Sequence, residues 1–188
     1  MARAALKERA GPSGEKPAGR SSPEGLGFYS YRVRDVMTRK VVSVAPGATL
    51  AIAAGIMSRR SVSGLPVVDA KGRVVGVLSQ KDILRLLHDT SGLRLPRSVF
   101  DLILSVGRGH GSGVPEISRR VLESAKVRSS MTRPAIYIGP GASLDDAVRT
   151  LISRRINRLP VVADGALVGI VTRHDLLSGL TPEEPVET

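Results

Sequence analysis

The sequence predicts a mixed α/β (α+β) fold made of two β-α-β-β-α repeats with a helical insert between them. The first observation is a duplication in register. Met37-Thr38-Arg39 recurs as Met131-Thr132-Arg133, 94 positions later, and Leu65–Val68 recurs as Leu159–Val162 at the same offset. The second is an apolar stripe at helical spacing, which appears once in each half. Its members are Leu50, Ala53, Ala54 and Met57 in the first half and Leu144, Ala147, Val148 and Leu151 in the second.

Local patterns assign the elements of the first repeat. Thr49 stands immediately before the apolar stripe and is the expected N-cap of its helix. Turn residues at Pro46-Gly47 and Lys71-Gly72 separate the short β-branched runs. The predicted elements are a strand at 41–44, a helix from Thr49, strands at 65–69 and 73–78, and a helix from Ser79 to about His88.

These patterns place repeat 1 at residues 32–88 and repeat 2 at residues 127–180. Residues 1–31 are rich in Gly, Pro and Ser and predict a disordered tail, and residues 181–188 form a second tail. The connector, residues 89–126, is predicted to hold a helix over 96–106 and another from Pro115 to about Lys126. Its glycine-rich stretch, 107–113, lacks the Gly-Lys-Ser/Thr of a phosphate loop and is interpreted as a flexible linker.

A hydroxyl residue followed three positions later by an aspartate ends the last strand of each repeat. These pairs are Ser79 with Asp82 and Thr172 with Asp175. One interpretation is a helix N-cap with an acidic residue at the third helical position, which needs no ligand. The other is a nucleotide site, in which the helix N-terminus and hydroxyl attract phosphate and the aspartate accepts hydrogen bonds from sugar hydroxyls. The two interpretations are compatible.

Composition excludes several classes of site. Among 188 residues there is no Cys and no Trp, aromatic residues make up 3%, and only three His are present. Disulfides, thiolate metal sites and Cys nucleophiles are therefore excluded, and no metal site or required cofactor is expected. No apolar run approaches membrane-spanning length, so we expect a cytoplasmic protein without a membrane partner. The net charge of +11 predicts attraction to anions without choosing among nucleotides, nucleic acid and acidic proteins.

The repeated motifs resemble those of the CBS (cystathionine-β-synthase-type) family. They are Met-Thr before the first strand, a Leu-Pro-Val-Val-Asp segment after the first helix, and Gly-x-x-Ser/Thr-x-x-Asp at the last junction. Both repeats carry all three, except that Ala163 stands where Asp69 does. The resemblance implies a pair of repeats about a pseudo-twofold axis with two clefts. It also implies a regulatory ligand such as AMP, ADP or ATP, or S-adenosylmethionine or NAD.

In relatives the aspartate of the last motif holds the ribose, the hydroxyl residue holds phosphate, and the strand residue five before the aspartate packs on adenine. Each cleft also takes residues from the other repeat's pre-proline segment and from the Met-Thr motif. The resemblance thus implies one site built from Val77, Ser79, Asp82, Ile156, Asn157, Arg158, Pro160 and Thr132. It implies a second built from Ile170, Thr172, His174, Asp175, Val62, Ser63, Gly64, Pro66 and Thr38, with His174 or Arg173 near the phosphates.

The sequence leaves competing functions open. No nucleophile, base and orienting residue form a recognisable set, so an enzyme is not expected. The leading hypothesis is an adenine-nucleotide sensor that acts on an unknown protein partner, and relatives commonly form homodimers through the helices of both repeats. One alternative is a basic protein associated with nucleic acid, and another is a structural adaptor with non-functional clefts.

Overall fold

The structure, a computed structural model, describes residues 31–91 and 116–178. The predicted helix at 96–106, the glycine-rich stretch, Pro115 and nearly all of both tails lie outside the described residues. The described residues divide into two compact units, and each unit takes residues from both sides of the connector. Unit 1 contains residues 42–91 and 116–135, and unit 2 contains residues 31–41 and 136–178.

Unit 1 is built around one β-hairpin. Its elements are helix α2 (Leu50–Arg59), strands β1 (Gly64–Val68) and β2 (Val74–Ser79), and helices α3 (Gln80–Ser91), α4 (Glu116–Ser124) and α5 (Val127–Ser130). Strands β1 and β2 pair antiparallel, with Pro66 opposite Val77. Helix α4, which precedes the second repeat in sequence, lies against α2 and α3.

Unit 2 repeats this plan with a shorter hairpin turn. Its elements are helix α1 (Val33–Val36), helix α6 (Leu144–Ser153), strands β3 (Arg158–Ala163) and β4 (Ala166–Thr172), and helix α7 (Arg173–Ser178). Pro160 lies opposite Ile170 in the antiparallel pair. Asp164 and Gly165, at φ 50° and 75°, form the two-residue turn, where Asp-Gly tolerates positive φ.

The N-cap predicted at Thr49 is confirmed, and the structure shows an equivalent cap at Ser143. The Thr49 hydroxyl accepts a hydrogen bond from the Ile52 amide at 3.3 Å. The Ser143 hydroxyl accepts one from the Asp146 amide at 3.1 Å. Each cap satisfies one of the backbone donors that a helix leaves unpaired at its N-terminus.

The predicted first strand is wrong in extent, because it is reduced to a single parallel bridge. In unit 1, Val44 donates to the Pro66 carbonyl and accepts from the Val68 amide, both at 3.0 Å. Continuing a parallel ladder in either direction would require an N–H from Pro46 or from Pro66, and proline has none. Unit 2 has the same arrangement, with Ile138 paired to Val161 between Pro140 and Pro160.

Each unit has its own apolar core, and residues at or just before the start of each repeat enter the core of the unit formed mainly by the other repeat. Val127 and Leu122 are 0% and 2% exposed in the core of unit 1. Val33 and Met37 are 0% and 9% exposed in the core of unit 2. A segment at the start of one repeat therefore completes the unit formed mainly by the other.

Candidate functional site

In unit 1 the candidate site begins where β2 ends at Ser79 and α3 begins at Gln80. The Ser79 amide and hydroxyl both donate to Oδ2 of Asp82, at 2.8 Å and 2.6 Å. The carboxylate therefore lies at the N-terminus of α3, where the helix dipole favours negative charge. Both bonds use Oδ2, so Oδ1 takes no part in this pair of contacts.

Unit 2 has the same junction between Thr172 and Asp175. The Thr172 amide and hydroxyl each donate to Oδ2 of Asp175 at 2.7 Å. In return, the Asp175 amide donates to the Thr172 hydroxyl at 3.3 Å. These reciprocal bonds confirm the capping interpretation of the motif and hold the hydroxyl and carboxylate side by side.

Strands β1 and β3 contain Pro66 and Pro160. The segment that leads into each of these strands lies across the hairpin from the strand–helix junction of the same unit. The Gln80 amide donates to the Ser63 carbonyl at 3.0 Å, and the Arg173 amide donates to the Asn157 carbonyl at 3.2 Å. In the strand register, Gly64 lies opposite Ser79 and Arg158 lies opposite Thr172. The two junctions thus differ in the residue paired across the hairpin with the hydroxyl residue, which is glycine in unit 1 and arginine in unit 2.

The Met-Thr motif pairs with the strand that leads to each junction. Thr132 exchanges two backbone hydrogen bonds with Val77, at 2.9 Å and 3.1 Å. Thr38 exchanges two with Ile170, at 2.9 Å and 3.0 Å. In each unit the Met-Thr segment therefore pairs with the outer edge of the hairpin. In the sequence, this segment and the hairpin lie on opposite sides of the connector.

The glycine of each Gly-x-x-Ser/Thr-x-x-Asp motif lets this segment approach closely. A Cβ at Gly76 would lie 2.6 Å from Met131 Sδ and 2.9 Å from the Thr132 carbonyl oxygen. A Cβ at Gly169 would collide with Met37 Sδ and lie 3.1 Å from Met37 Cγ. The sequence alone does not connect these glycines with the methionines, although both belong to motifs that recur together.

The predicted site residues separate into two sets, one in each unit. Those in unit 1 are Val62, Ser63, Gly64, Pro66, Val77, Ser79, Asp82 and Thr132, and those in unit 2 are Thr38, Ile156, Asn157, Arg158, Pro160, Ile170, Thr172, His174 and Asp175. Gly64, Pro66 and Pro160 are buried, whereas Thr38, Thr132, Ser63, Asn157 and His174 are exposed. The combination of residues from both repeats in one cleft stays a prediction.

Asp69 has a structural role that explains why Ala163 can replace it. Its Oδ1 accepts from the Lys71 amide at 2.9 Å and the Arg73 amide at 3.0 Å, bracing the longer first hairpin turn. The backbone hydrogen bond from Arg73, with its side-chain hydrogen bond, holds the pKa of Asp69 below its ordinary value. The second turn, built on Asp164-Gly165, is tighter and has no such loop to brace.

In the described part of the chain, no group of three or more His, Asp or Glu side chains is placed to hold a metal ion. Among the same residues, no helix is long and apolar enough to cross a membrane.

Comparison with known proteins identifies the family of this chain. The family model described as "CBS domain" matches residues 33–89 and 126–181. An uncharacterized protein of Methanocaldococcus jannaschii, MJ1426, is 32% identical over 155 residues, covering 79% of this chain and 90% of that protein. The chloroplastic CBS domain-containing protein CBSX2 of Arabidopsis thaliana is 31% identical over 150 residues, covering 78% of this chain and 62% of that protein.

Solved structures agree in fold. The CBS domain of a CBS domain-containing membrane protein from Sphaerobacter thermophilus is 29% identical, with a TM-score of 0.64 and coverage of 82% and 90% of the two chains. The crystal structure of CBSX2 in complex with AMP is 28% identical, with a TM-score of 0.58 and coverage of 80% and 96%.

Proposed function

Because the chain belongs to the CBS-domain family, we propose that it is a regulatory module that binds an adenosine compound and passes the signal to a protein partner. The observation that carries the proposal is the hydroxyl–carboxylate pair, which occurs at the end of the last strand of both units. In each pair the hydroxyl and the carboxylate are within 2.7 Å of each other at a helix N-terminus.

The chemistry of the pair suits a nucleotide better than a simple anion. A carboxylate repels phosphate but accepts hydrogen bonds from neighbouring sugar hydroxyls, and a ribose offers two such donors. The hydroxyl and the helix N-terminus favour the phosphate of the same molecule. A ligand that carries both groups, as a nucleotide does, uses both halves of the motif.

The similarity to CBSX2, whose crystal structure contains AMP, supports an adenosine ligand. We propose AMP, ADP or ATP as the regulatory ligand, with S-adenosylmethionine and NAD as further members of the class. In this proposal Val77 and Ile170 pack on the adenine, and Thr132 and Thr38 lie beside them, because each threonine is bridged to that strand residue.

The proposed sites also include residues from the pre-proline segments. Ile156, Asn157, Arg158 and Pro160 are proposed to join the Asp82 site, and Val62, Ser63, Gly64 and Pro66 the Asp175 site, where His174 would lie near the phosphates. Arg158→Ala should weaken binding of ATP more than binding of adenosine, because a guanidinium acts on phosphate and not on the nucleoside. Arg154→Ala, at an exposed position on the same unit, is the control.

The first test is thermal unfolding of the full chain with AMP, ADP, ATP, NAD, S-adenosylmethionine or GTP. A ligand at 100 times its dissociation constant stabilises a fold by about 2.7 kcal/mol, which is a shift of several degrees at this size. We expect a shift with adenosine compounds that Asp82→Ala or Asp175→Ala removes.

Asp146→Ala is the matched control for both variants. Asp146 accepts from the Ser143 hydroxyl at 2.6 Å, so it belongs to a similar cap but lies at no strand–helix junction of the motif. Each variant is compared with and without ligand, which cancels the cost of the lost cap. Loss of the shift in Asp146→Ala as well would show that capping, and not ligand contact, explains the result.

Other outcomes would replace the proposal. If no adenosine compound shifts the transition, the clefts are empty or take another ligand. If the chain binds nucleic acid with an affinity that falls steeply with salt and ignores both aspartate variants, the +11 net charge is the binding feature. We also propose a homodimer, which light scattering of the full chain tests directly.

A further inference from the structure

The two halves of the chain are exchanged between the units. From the first half, residues 42–91 form most of unit 1, but residues 31–41 belong to unit 2. From the second half, residues 136–178 form most of unit 2, but residues 116–135 belong to unit 1. We propose that the N-terminal half (residues 1–109) and the C-terminal half (residues 110–188) are specific binding partners, and that neither repeat is complete without the other half.

The contact made by residues 116–135 in unit 1 is extensive and partly buried. The Val127 amide donates to the Ala48 carbonyl at 2.9 Å, and the Leu50 amide donates to the Ala125 carbonyl at 3.0 Å. Leu122 and Val127 are almost fully buried in the core of the unit. The Thr132–Val77 bridge then extends the hairpin, so the segment supplies backbone pairing and core side chains together.

The contact made by residues 31–41 in unit 2 has the same design. The Val33 amide donates to the Ala142 carbonyl and the Arg34 amide donates to the Pro140 carbonyl, both at 3.0 Å. Val33 is fully buried and Met37 nearly so. Thr38 ends the contact with its two hydrogen bonds to Ile170.

The physical consequence concerns a chain cut in the connector. A break between Gly109 and His110 lies in the connector sequence, outside every contact just described. Each fragment then retains one segment that is buried in the unit formed mainly by the other fragment. Dissociation would expose apolar residues in both units and break both edge bridges at once, so two separate contacts must be lost together.

The test uses the full chain with a protease site inserted between Gly109 and His110 and cleaved after folding. We expect the fragments to elute together in native buffer and to separate in denaturant. Unfolding of the cut protein releases one more chain than unfolding of the uncut protein, so its midpoint should fall more steeply on dilution. The uncut protein is measured at the same concentrations, which accounts for any homodimer. Separation of the fragments in native buffer would overturn the proposal.

Point variants then locate the contact. Val127→Ala and Met37→Ala, each a truncation at a buried position, should raise the dissociation constant of the fragments by about tenfold or more. Ile152→Ala, at a side chain 66% exposed, is the matched control and should leave it unchanged. Equal effects of all three variants would contradict this location of the contact. A cut protein whose midpoint falls on dilution no more than that of the uncut protein would show that each repeat folds alone.

The uncut form of each variant is measured in parallel. Because the intact connector keeps the halves at high local concentration, the uncut variants should retain their far-UV circular dichroism. If an uncut variant fails to fold, a pair of changes at Thr132 replaces it. Thr132→Val keeps the backbone N–H that donates to the Val77 carbonyl, and Thr132→Pro removes it. The fragments should then bind each other more weakly with Thr132→Pro than with Thr132→Val. Equal affinity of these two variants would contradict a role for the bridge.

Discussion

Replacing Gly76 by alanine tests the close packing between the Met-Thr segment and strand β2. The added Cβ would lie 2.9 Å from the Thr132 carbonyl oxygen and 2.6 Å from Met131 Sδ. The methionine end can turn away, but the carbonyl is part of the backbone and is fixed by its bond from the Val77 amide. Alanine therefore forces the bridged segment away from the strand.

The expected net loss is about 1–2 kcal/mol. Overpacking of this kind costs about 1–3 kcal/mol. The lower entropy of alanine in the unfolded chain offsets about 0.4–1 kcal/mol of that cost, since Gly76 is not at positive φ. Met131→Ala in the Gly76→Ala background should restore stability only in part, because the carbonyl contact remains.

Gly169 and Gly47 provide the comparison. At Gly169 the backbone contact, with the Thr38 carbonyl, is longer at 3.3 Å, and the tightest contact is with the flexible end of Met37. Gly169→Ala should therefore cost less than Gly76→Ala. Gly47 has nothing within 4 Å of an added Cβ, so Gly47→Ala should be neutral or slightly stabilising.

Urea unfolding followed by far-UV circular dichroism measures all three, because the chain has no Trp to report by fluorescence. Unfolding of Gly76→Ala at the same urea concentration as the parent would contradict the close contact at Gly76, and so would Gly47→Ala being the most destabilised of the three.

Three further predictions concern caps, a turn and pH. Thr49→Ala and Ser143→Ala should each lower the free energy of unfolding by about 1 kcal/mol in urea titrations, because each removes a helix N-cap; Ser153→Ala, at the other end of α6, should have little effect. Asp69→Ala should speed hydrogen exchange of the Lys71 and Arg73 amides, which lose their acceptor, whereas Ala163→Asp should leave the second turn unchanged. The hydrogen bond from the Ser143 side chain lowers the pKa of Asp146, and that from Arg119 lowers the pKa of Glu116. Their stabilisation is thus complete above about pH 4–5 and is lost as the pH falls through the lowered folded-state values. Urea midpoints between pH 5 and pH 2.5 should show this fall, and Asp146→Asn should make it shallower; an unchanged pH profile would contradict the assignment.

Much of the fold follows from local sequence patterns. Thr49 and Ser143 are capping residues directly before periodic apolar positions, so both helix starts are predictable within a residue. The hairpins follow from β-branched runs that flank Gly72 and Gly165. The helix starts and hairpin turns depend on interactions between residues a few positions apart, so they can be predicted from one sequence.

The sequence predicts a first strand that is longer than the one bridge in the structure, and the reason lies in the hydrogen bonding to its partner strand. The run Val41-Val42-Ser43-Val44 has strand composition, but its partner strand carries Pro66 where a donor is needed. Knowing which edge of β1 this run would meet requires the tertiary arrangement. Composition alone therefore predicts a strand where the structure forms one bridge.

The candidate junctions were predictable, but the way they are supported was not. Ser79 with Asp82 forms a motif over four residues and can be found by spacing alone. The contact between Gly76 and Met131 joins positions 55 residues apart across the connector. In the sequence, the Met-Thr motif and the Gly-x-x-Ser/Thr-x-x-Asp motif recur together at nearly the same offset. That recurrence does not show which copy of one motif contacts which copy of the other.

The prolines that limit the first strand also affect how the protein behaves at high concentration. An exposed sheet edge with a continuous row of N–H and C=O groups can add a strand from another molecule and begin aggregation. In each unit, Pro66 or Pro160 removes a donor from the edge of the hairpin, and the bridge at Val44 or Ile138 occupies the groups beside it. The opposite edge is bridged by Thr132 or Thr38 at its midpoint. Such short hairpins are thereby protected against edge-to-edge association at both sides, which favours a chain that stays dispersed at high expression levels.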